Sequence, residues 1–306
     1  AFFGHRTVSK IPGITPDTPR QQIEQAAVVG AGTMGGGITM SYINVGIPVI
    51  LKEIDQQNLD QGLDRIRDNY MRSVKRGRFT EQDVEDRMAL ITPTLDYQQL
   101  TSADIIVEAV FESLNLKKQV FTELDGVAKP TAILASNTST LDIDQIAAAT
   151  ARPERVIGHH FFSPANVMRL IEIVRGDETS NAVIATCMKL AKDIEKVAVV
   201  VGVCPGFVGN RILSARGIQS DDLLLKNAMP EAIDQVILDF GFPMGPFAMR
   251  DLAGLDIGWL GDKTPDKDTN IRHQLCERGR RGQKTGSGFY DYEEGSRTPI
   301  PNAEVE

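Results

Sequence analysis

The chain has 306 residues, enough for two domains that each bury a core of their own. Its composition, 42% hydrophobic and 24% charged, is that of a globular protein, and the formal net charge of −8 argues against nucleic acid as the main partner. No apolar stretch reaches the roughly 20 residues that span a bilayer. The three cysteines lack metal-ligand spacing, so we expect no metal site and free thiols in a reducing compartment.

Residues 1–24 are rich in proline, threonine and glycine and lack periodicity, which predicts a linker or tether. Because the first residue is Ala1 rather than Met, we expect a chain that was processed or excised from a longer protein. After the linker, short apolar runs alternate with helical patterns. The predicted strands cover 26–30, 48–53, 104–110, 131–136 and 196–202, and the predicted helices cover 34–46, 56–77, 114–128, 142–149 and 180–192.

This alternation predicts an α/β fold with a mostly parallel, Rossmann-type sheet covered by helices on both faces. The pattern changes near residue 203, where strand signals nearly vanish. Helical patterns dominate from there, at 207–227, 230–240 and 249–260. We therefore predict a Rossmann-type domain over 25–202 and a smaller all-α domain over 203–306.

A glycine-rich pattern follows the first predicted strand and opens the first predicted helix. Gly30 permits a tight turn, Gly32 lets the backbone approach a pyrophosphate, and Gly35 allows close packing of helix and strand. Thr33 and Met34 lie between these glycines, at a helix N-terminus that would face the phosphates. The pattern predicts a dinucleotide site in which all five residues take part.

An acidic residue ends the second predicted strand. Glu53 follows the glycines at about the 20-residue spacing of the residue that binds the adenosine ribose. A carboxylate there repels the 2′-phosphate of NADP. Lys52 beside it weakens this choice slightly, but the sequence favours NAD as the cofactor.

Residues 159–174 contain two apolar, β-branched runs around a short segment centred on Asn166, which predicts an antiparallel hairpin at an edge of the sheet. His160 and Glu172 are equidistant from Asn166, so they would face each other with Cβ atoms about 5 Å apart. A carboxylate opposite an imidazole fixes one tautomer and stabilises the imidazolium. The pair predicts a proton-abstracting base, whereas His159 beside it is expected to be structural.

Two further features have open interpretations. Ser139 follows a predicted strand end, where open α/β sheets place their ligands, but it could instead be a helix N-cap. Lys75, Arg76 and Arg78 form a basic patch that could bind an anionic substrate or could be a solvated helix end.

The chain resembles the 3-hydroxyacyl-CoA dehydrogenase family over residues 25–292. The motifs that carry the resemblance are GAGTMG, VEAVFE, SNTST, HFFSP with MRLIEIV, PGFVGNR, GFPMGPF with DLAGLD, and GQKTGSGFYDY. Three segments resemble the multifunctional β-oxidation enzymes, which carry an enoyl-CoA hydratase domain upstream. AFFGHR and KIPG are similar to the linker that precedes the dehydrogenase module there, and HFFSPA is similar to the motif of that branch. The resemblance thus implies the dehydrogenase portion of such an enzyme.

The resemblance implies an oxidoreductase of fatty acid metabolism and lipid degradation that oxidises L-3-hydroxyacyl-CoA to 3-ketoacyl-CoA with NAD. The acyl group is expected between the two domains, and the coenzyme A phosphates at the basic patch. The implied small-molecule partner is an acyl-CoA substrate, and we expect no nucleic-acid partner. The implied protein partner is a second copy in a homodimer, or else the chain is part of a larger multifunctional protein. We expect a cytoplasmic protein, or a peroxisomal one if the source is eukaryotic.

The resemblance also implies roles for individual residues in catalysis. His160 matches the catalytic base and Glu172 the carboxylate that orients it. Ser139 matches a serine near the substrate oxygen and the nicotinamide. Asn210 matches an asparagine that reaches the active site, although it could be an ordinary polar residue early in a helix.

Other matches concern cofactor and substrate contacts. Glu112 and Lys117 match residues near the nicotinamide ribose, and Asn137 is assigned to the cofactor as well. Ser163 stands where single-function members usually have Asn, so one amide contact to cofactor or substrate is in doubt.

Two other functions stay open. One is a dehydrogenase of small β-hydroxy acids without coenzyme A; such enzymes usually rely on a lysine in the helical domain. The other is a non-catalytic, NAD-binding structural protein. The presence of the four catalytic candidates argues against the second.

Overall fold

The computed structural model describes residues 7–8, 10–257, 259–265, 270–302 and 305. Residues 1–6 and 9 of the predicted linker lie outside the described residues. The chain divides into two compact units, residues 1–210 and 211–306. The predicted boundary near residue 203 falls inside the first unit, so the proposed extent of each domain stays a prediction.

One eight-stranded sheet forms the centre of the first unit. Its strands are β1 (Ala26–Val29), β2 (Val49–Lys52), β3 (Ile91–Thr94), β4 (Ile105–Glu108), β5 (Ile133–Ser136), β6 (Val156–Phe161), β7 (Leu170–Arg175) and β8 (Val197–Gly202). They lie in the order β3-β2-β1-β4-β5-β6-β7-β8, and all neighbours from β3 to β6 are parallel. Apolar, β-branched runs form these strands because a parallel sheet buries both of its faces. The predicted Rossmann-type sheet is confirmed.

Helices cover both faces of this sheet, as predicted. They are α1 (Thr33–Ile43), α2 (Gln56–Lys75), α3 (Glu81–Met88), α4 (Leu114–Val127), α5 (Ile143–Ala147) and α6 (Asn181–Asp193), with 3₁₀ helices at Tyr97–Ser102 and Pro153–Arg155. One face packs through residues such as Ile38, Ile66 and Leu190, and the other through Phe121 and Ile146. Each of these side chains is at most 2% exposed. Burial of a side chain of this size stabilises the fold by roughly 1.5–3 kcal/mol.

β6 and β7 form the predicted antiparallel hairpin, and the register pairs His160 with Glu172. The hairpin is not the edge of the sheet, because β8 pairs with β7 in parallel, with Leu170 opposite Val197. The prediction that the hairpin forms the edge is therefore wrong. Helix α6 supplies the crossover that a parallel neighbour requires, and the edge strand at this end of the sheet is β8.

The sequence did not predict helix α3 or strand β3. α3 begins with a capping box, in which Thr80 and Asp83 each accept the backbone amide of the other. β3 contains Pro93, which an edge strand tolerates because one side of it has no ladder to complete. The capping box was a usable signal for the helix, whereas the proline concealed the strand.

The described part of the predicted linker lies against the first unit. The Asn181 side chain donates to the carbonyl of Gly13 at 3.0 Å, and the Gln21 amide donates to Thr186 Oγ1 at 2.9 Å. The Glu24 amide donates to the Asp104 carboxylate at 2.8 Å. Residues 10–24 are thus docked along their length, while their role as a linker stays a prediction.

The second unit is helical, as predicted. Its helices are α7 (Gly209–Leu225), which starts at the end of the first unit, α8 (Pro230–Asp239), α9 (Pro246–Ala253) and α10 (Ile271–Glu277), with 3₁₀ helices at Gly261–Lys263 and Gln283–Thr285. Its core consists mainly of aromatic and apolar side chains: Phe247, Leu255, Leu275, Cys276, Phe289, Tyr290 and Tyr292. In the described part of the chain, none of the helices has both the length and the apolar character needed to cross a membrane.

The predicted helix over 249–260 is wrong in its bounds. Helix α9 begins at Pro246, whose fixed φ suits a first helical position, and ends at Ala253. Gly254 follows with a φ of +106°, outside the helical region. A side chain is disfavoured at such a φ, so this glycine marks the end of the helix.

Candidate active site

The glycine fingerprint occupies the turn between β1 and α1. Gly30 has a φ of +99°, and a Cβ there would lie 2.7 Å from the carbonyl oxygen of Ala109. A Cβ on Gly35 would lie 1.7 Å from the carbonyl oxygen of Gly30. A Cβ on Gly32, in contrast, would have no atom within 4 Å among the described residues other than its chain neighbours. Two glycines therefore allow the tight turn, and the third leaves open space beside the backbone.

Helix α1 begins at this open space. Its N-cap is Gly32, which has no side chain to accept the first amides of the helix, so the positive end of the helix remains available to an anion. A pocket of about 520 Å³ adjoins it and is lined by Gly32, Thr33, Met34 and Glu53, among others. The residues present thus fit the pyrophosphate and ribose of a dinucleotide.

Glu53 lies at the end of β2 and faces the fingerprint turn. Its carboxylate accepts the amides of Ala31 and Ile54, each at 2.7 Å. The neighbouring Lys52 lies over the ring of Tyr97, with Nζ 3.9 Å from the ring centroid. Burial lowers the pKa of Lys52, although Glu53 and Glu123 oppose that effect. The lysine that weakened the choice of NAD is thus held on an aromatic ring.

The hairpin brings His160 and Glu172 into direct contact. Nδ1 of His160 lies 2.8 Å from Oε2 of Glu172, and both residues are only 2% exposed. An ionised carboxylate only accepts hydrogen bonds, so Nδ1 carries the proton and Nε2 is the basic nitrogen. The geometry is the one that the sequence predicts for the pair.

The second oxygen of Glu172 is held by the start of helix α7. Oε1 accepts the amides of Val208 at 3.0 Å and Gly209 at 2.8 Å. Phe207 has a φ of +49°, so the chain turns sharply just before these two amides. Burial by itself would raise the pKa of Glu172, but hydrogen bonds from His160, Gly209 and Val208 outweigh it, and the pKa is lowered. Glu172 is therefore ionised at neutral pH.

Two aromatic rings lie beside the His160 imidazole. The centroid of the His160 ring lies 4.6 Å from that of Phe162 and 5.5 Å from that of Phe207. Among the described residues, no hydrogen bond occupies Nε2 of His160. The imidazole is thus held at Nδ1 and by the rings beside it, while Nε2 has no hydrogen-bond partner among the described residues.

His159 has the structural character that the sequence predicts. It is fully buried, and burial lowers its pKa to about 3, so it stays neutral. Neither of its ring nitrogens has a hydrogen-bond partner within the part of the chain that the structure describes. Its ring packs edge-on against Phe161 at 5.2 Å.

Ser139 lies in the loop after β5, close to two of the predicted cofactor residues. Its amide donates to Glu112 Oε1 at 2.9 Å, and Glu112 Oε2 lies 3.3 Å from Lys117 Nζ. Asn137, in the same loop, accepts the amide of Phe161 at 2.9 Å, which ties the loop to the hairpin. The alternative of a helix N-cap is wrong for Ser139, because Asp142 caps α5.

The sequence reasoning missed three buried polar residues of this loop region. Glu108, Ser136 and Thr138 are all fully buried, and together they connect Lys117 and Glu112 to the loop. A signal existed for Glu108, since a lone carboxylate in the apolar run IIVEAV is costly without a partner.

Two family models together match most of the chain. Residues 25–204 match the family model described as 3-hydroxyacyl-CoA dehydrogenase, NAD binding domain, and residues 206–292 match 3-hydroxyacyl-CoA dehydrogenase, C-terminal domain. The chain belongs to the 3-hydroxyacyl-CoA dehydrogenase family. The predicted family and NAD as its cofactor are thereby confirmed.

Relatives in the 3-hydroxyacyl-CoA dehydrogenase family include longer enzymes. The chain is 44% identical to the peroxisomal bifunctional enzyme of Cavia porcellus, over 96% of this chain and 43% of the relative. It is 42% identical to the fatty acid oxidation complex subunit alpha of Psychrobacter cryohalolentis, over 89% of this chain and 39% of the relative. The chain thus spans about two fifths of these curated relatives.

A solved structure of the family is similar along its whole length. The (S)-3-hydroxybutyryl-CoA dehydrogenase from Ralstonia eutropha is 34% identical, with a TM-score of 0.79. The match covers 89% of this chain and 100% of that one. The predicted fold class is therefore shared with a solved member of the family.

Other predicted site residues make no hydrogen bond with His160 among the described residues. Lys75 and Arg76 are exposed at the end of α2 and contact neither the hairpin pair nor the Ser139 loop among the described residues. Ser163 is exposed in the hairpin connection. Asn210 directly follows Gly209 in the first turn of α7, one residue beyond the amide that holds Glu172.

Proposed function

We propose that this chain is an NAD-dependent dehydrogenase that oxidises L-3-hydroxyacyl-CoA to 3-ketoacyl-CoA in fatty acid β-oxidation. The observation that carries the proposal is the buried contact between His160 and Glu172 at 2.8 Å, in the same unit as the dinucleotide fingerprint. The names of the family and of the relatives, which include enzymes of fatty acid oxidation, support the choice of substrate.

The chemistry divides between the protein and its cofactor. Bound at the fingerprint, NAD⁺ would supply the acceptor for a hydride from the carbon that bears the hydroxyl group. Nε2 of His160 removes the hydroxyl proton, so the alcohol loses one hydride and one proton and becomes a ketone. Glu172 is ionised and holds Nδ1, so it stabilises the imidazolium that forms.

Two polar residues are proposed as partners of the reacting oxygen. The Ser139 hydroxyl makes no hydrogen bond in the described part of the chain, although its amide is held by Glu112. The Asn210 side chain is likewise without a hydrogen bond among the described residues. Their backbones are thus positioned while their side chains remain available to a substrate.

Lys75 and Arg76 are proposed to bind the phosphates of coenzyme A. Both are exposed, and within the described ranges neither has a carboxylate partner. Charged groups without partners attract anions at low ionic strength. Lys75→Ala with Arg76→Ala should raise KM for acetoacetyl-CoA and leave kcat nearly unchanged. An unchanged KM would remove the patch from the substrate site.

The direct test of the proposal is NADH oxidation, followed by absorbance, with acetoacetyl-CoA and with a long-chain 3-ketoacyl-CoA. Turnover of either supports the proposed function. The reverse assay with free 3-hydroxy acids and NAD⁺ separates it from a dehydrogenase of small acids. Turnover of the free acids alone would replace the proposal, and binding of NADH without any turnover would favour the structural protein.

We also propose that the second unit mediates pairing of two copies of the chain. Its helices α7 and α8 expose large apolar side chains that a monomer rarely leaves in water: Ile212 (63%), Ile218 (64%), Leu225 (54%) and Val236 (66%). Phe240, just beyond α8, is 81% exposed. Size-exclusion chromatography with light scattering should give the mass of a dimer, and a stable monomer would exclude this pairing.

The location is proposed from the relatives. A peroxisomal relative favours a peroxisomal location if the source is eukaryotic. For a bacterial source, we propose a cytoplasmic location.

A further inference from the structure

We propose that Glu108 is a positioning residue for the dehydrogenase reaction, an inference that rests on the proposed function. Its buried carboxylate fixes Lys117. Through Lys117 and Glu112, it sets the backbone of the loop that carries Ser139. The loop is thus held in place before cofactor or substrate binds.

Glu108 is the last residue of β4 and is fully buried. Its Oε1 accepts Lys117 Nζ at 2.6 Å and the amide of Val110 at 2.8 Å, and its Oε2 accepts Ser136 Oγ at 2.7 Å. A buried carboxylate is costly unless it is paired and hydrogen-bonded. Three donors meet that requirement, and together they restrict the carboxylate to one orientation.

Lys117 transmits this restriction to Glu112. The ammonium group is buried with its side chain 1% exposed, and it lies 3.3 Å from Glu112 Oε2. The other oxygen of Glu112 accepts the Thr138 hydroxyl at 2.6 Å and the Ser139 amide at 2.9 Å. Burial alone would raise the pKa of Glu112, but Thr138, Lys117 and the Ser139 amide outweigh it, and the pKa is lowered. One ammonium thus joins two carboxylates.

A second route connects Glu108 to the same loop. Ser136 Oγ, which donates to Glu108, accepts the amide of Thr138 at 3.2 Å. The backbone carbonyl of Glu108 accepts the amide of Asn137 at 2.8 Å. The route through Ser136 ends at the Thr138 amide, and the route through Lys117 and Glu112 ends at the Ser139 amide. A change of the Glu108 side chain therefore affects the loop at two neighbouring residues.

The test uses Glu108→Gln, which keeps the size of the side chain and one acceptor oxygen but removes the charge. Asp104→Asn is the matched control. Asp104 precedes the same strand and also binds a lysine, with Lys129 Nζ at 2.6 Å, and two backbone amides. It lies roughly 13 Å from Glu108 along the strand, at the end away from the Ser139 loop.

The first measurement is amide hydrogen exchange over residues 136–141 in the cofactor-free protein, so it does not depend on turnover. Glu108→Gln should speed exchange of the Thr138 and Ser139 amides by about tenfold, because the acceptors of both amides lose their support. Asp104→Asn should leave these amides unchanged. Equal exchange in Glu108→Gln and the unmodified protein would overturn the proposal, whether or not the chain is an enzyme.

The second measurement is steady-state reduction of acetoacetyl-CoA, with NADH affinity determined separately by fluorescence titration. Glu108→Gln should lower kcat about tenfold, since a misplaced contact group costs rate, and should change the NADH Kd less than threefold. Unchanged kcat together with faster exchange would overturn the role in the reaction. If the unmodified protein binds NADH but shows no turnover, the proposed function is wrong. The hydrogen-exchange result alone then decides whether Glu108 positions the loop.

Glu108→Gln is a buried charge change, so a second variant guards against loss of the fold. Ser136→Ala removes the acceptor of the Thr138 amide without leaving a buried lysine unpaired. It should speed exchange at Thr138 more than at Ser139 and lower kcat by a smaller factor than Glu108→Gln. Unchanged exchange at Thr138 in this variant would also overturn the proposal.

Discussion

Each unit of the molecule contains a buried carboxylate that accepts several hydrogen bonds, but the two carboxylates bind different kinds of partner. Glu172 in the first unit holds an imidazole as well as two amides. Asp251 in the second unit holds the amides of Phe289 and Tyr290 and the hydroxyl of Tyr292. Only the first set includes an imidazole, a side chain that can act as a general base.

The pKa values of the two carboxylates move in opposite directions. Burial of Glu172 is outweighed by its hydrogen bonds, and its pKa is lowered. Burial of Asp251 exceeds the effect of its hydrogen bonds from Phe289, Tyr290 and Tyr292, and its pKa is raised. A count of hydrogen bonds would not separate the two residues. The arrangement around Glu172 thus favours the charged carboxylate, whereas the arrangement around Asp251 does not.

The largest effect that tests this comparison is expected at His160. His160→Ala should lower kcat by about 10²- to 10⁴-fold, the usual contribution of a positioned base. NADH affinity, measured by fluorescence titration, should change little, since the fingerprint does not contact His160. His159→Leu is the matched control on the same strand and should keep kcat within about threefold, because the His159 side chain has no hydrogen-bond partner among the described residues. Full activity of His160→Ala would end its assignment as the base.

The next effect concerns the carboxylate beside the base. Glu172→Gln should lower kcat by about 10- to 100-fold, since an amide neither fixes the required tautomer nor stabilises the imidazolium. Steady-state reduction of acetoacetyl-CoA measures this loss. Glu178→Gln, an exposed neighbour in sequence, should behave as the unmodified protein. A kcat equal to that of the control would show that Glu172 is no more than structural.

Asp251 should give the opposite pattern. Asp251→Asn places an amide among donors, so it should cost roughly 1–3 kcal/mol in the free energy of unfolding. Its kcat, measured well below the melting temperature, should stay within about threefold of the unmodified value. Urea unfolding and the acetoacetyl-CoA assay check the two parts. A large loss of kcat in a folded protein would contradict the division between the two carboxylates.

The smallest effect is a pH dependence of stability, on the order of 1 kcal/mol for each group. The stabilisation by Glu172 is complete above its unfolded pKa and is lost as the pH falls through its lower folded pKa. Asp251 binds its proton more tightly when folded, so its contribution favours folding at low pH and declines as the pH rises through its higher folded pKa. Urea unfolding from pH 3 to 7 should therefore change in opposite senses in Glu172→Gln and Asp251→Asn. Parallel curves for the two variants would refute the opposed pKa directions.

The parts of the site that could be predicted are local in sequence. The glycine fingerprint is contained in one turn, and the contact of His160 with Glu172 follows from equal distances to Asn166 once a hairpin is assumed. Glu108 was missed because its burial and its partners come from β4, α4 and β5 together. A property that arises only when three segments meet has little trace in any one of them.

The fold shows the same limit. Strands with apolar runs were predicted, but β3 was hidden by Pro93, and the position of β8 outside β7 depends on how α6 packs. The bounds of helix α9 depend on the backbone at Gly254 rather than on periodicity. The contact of Glu172 with the amides at 208 and 209 could not be inferred from either segment alone.

The hydrogen bonds from Val208 and Gly209 to Glu172 cross the limit of the family's NAD-binding domain. The similarity to the NAD-binding domain ends at residue 204, after the last strand, yet the two amides that keep Glu172 ionised follow it. A fragment truncated at that limit would keep the whole sheet and the fingerprint, but Glu172 would lose two of its three hydrogen-bond donors. Such a fragment should bind dinucleotide and be a poor catalyst.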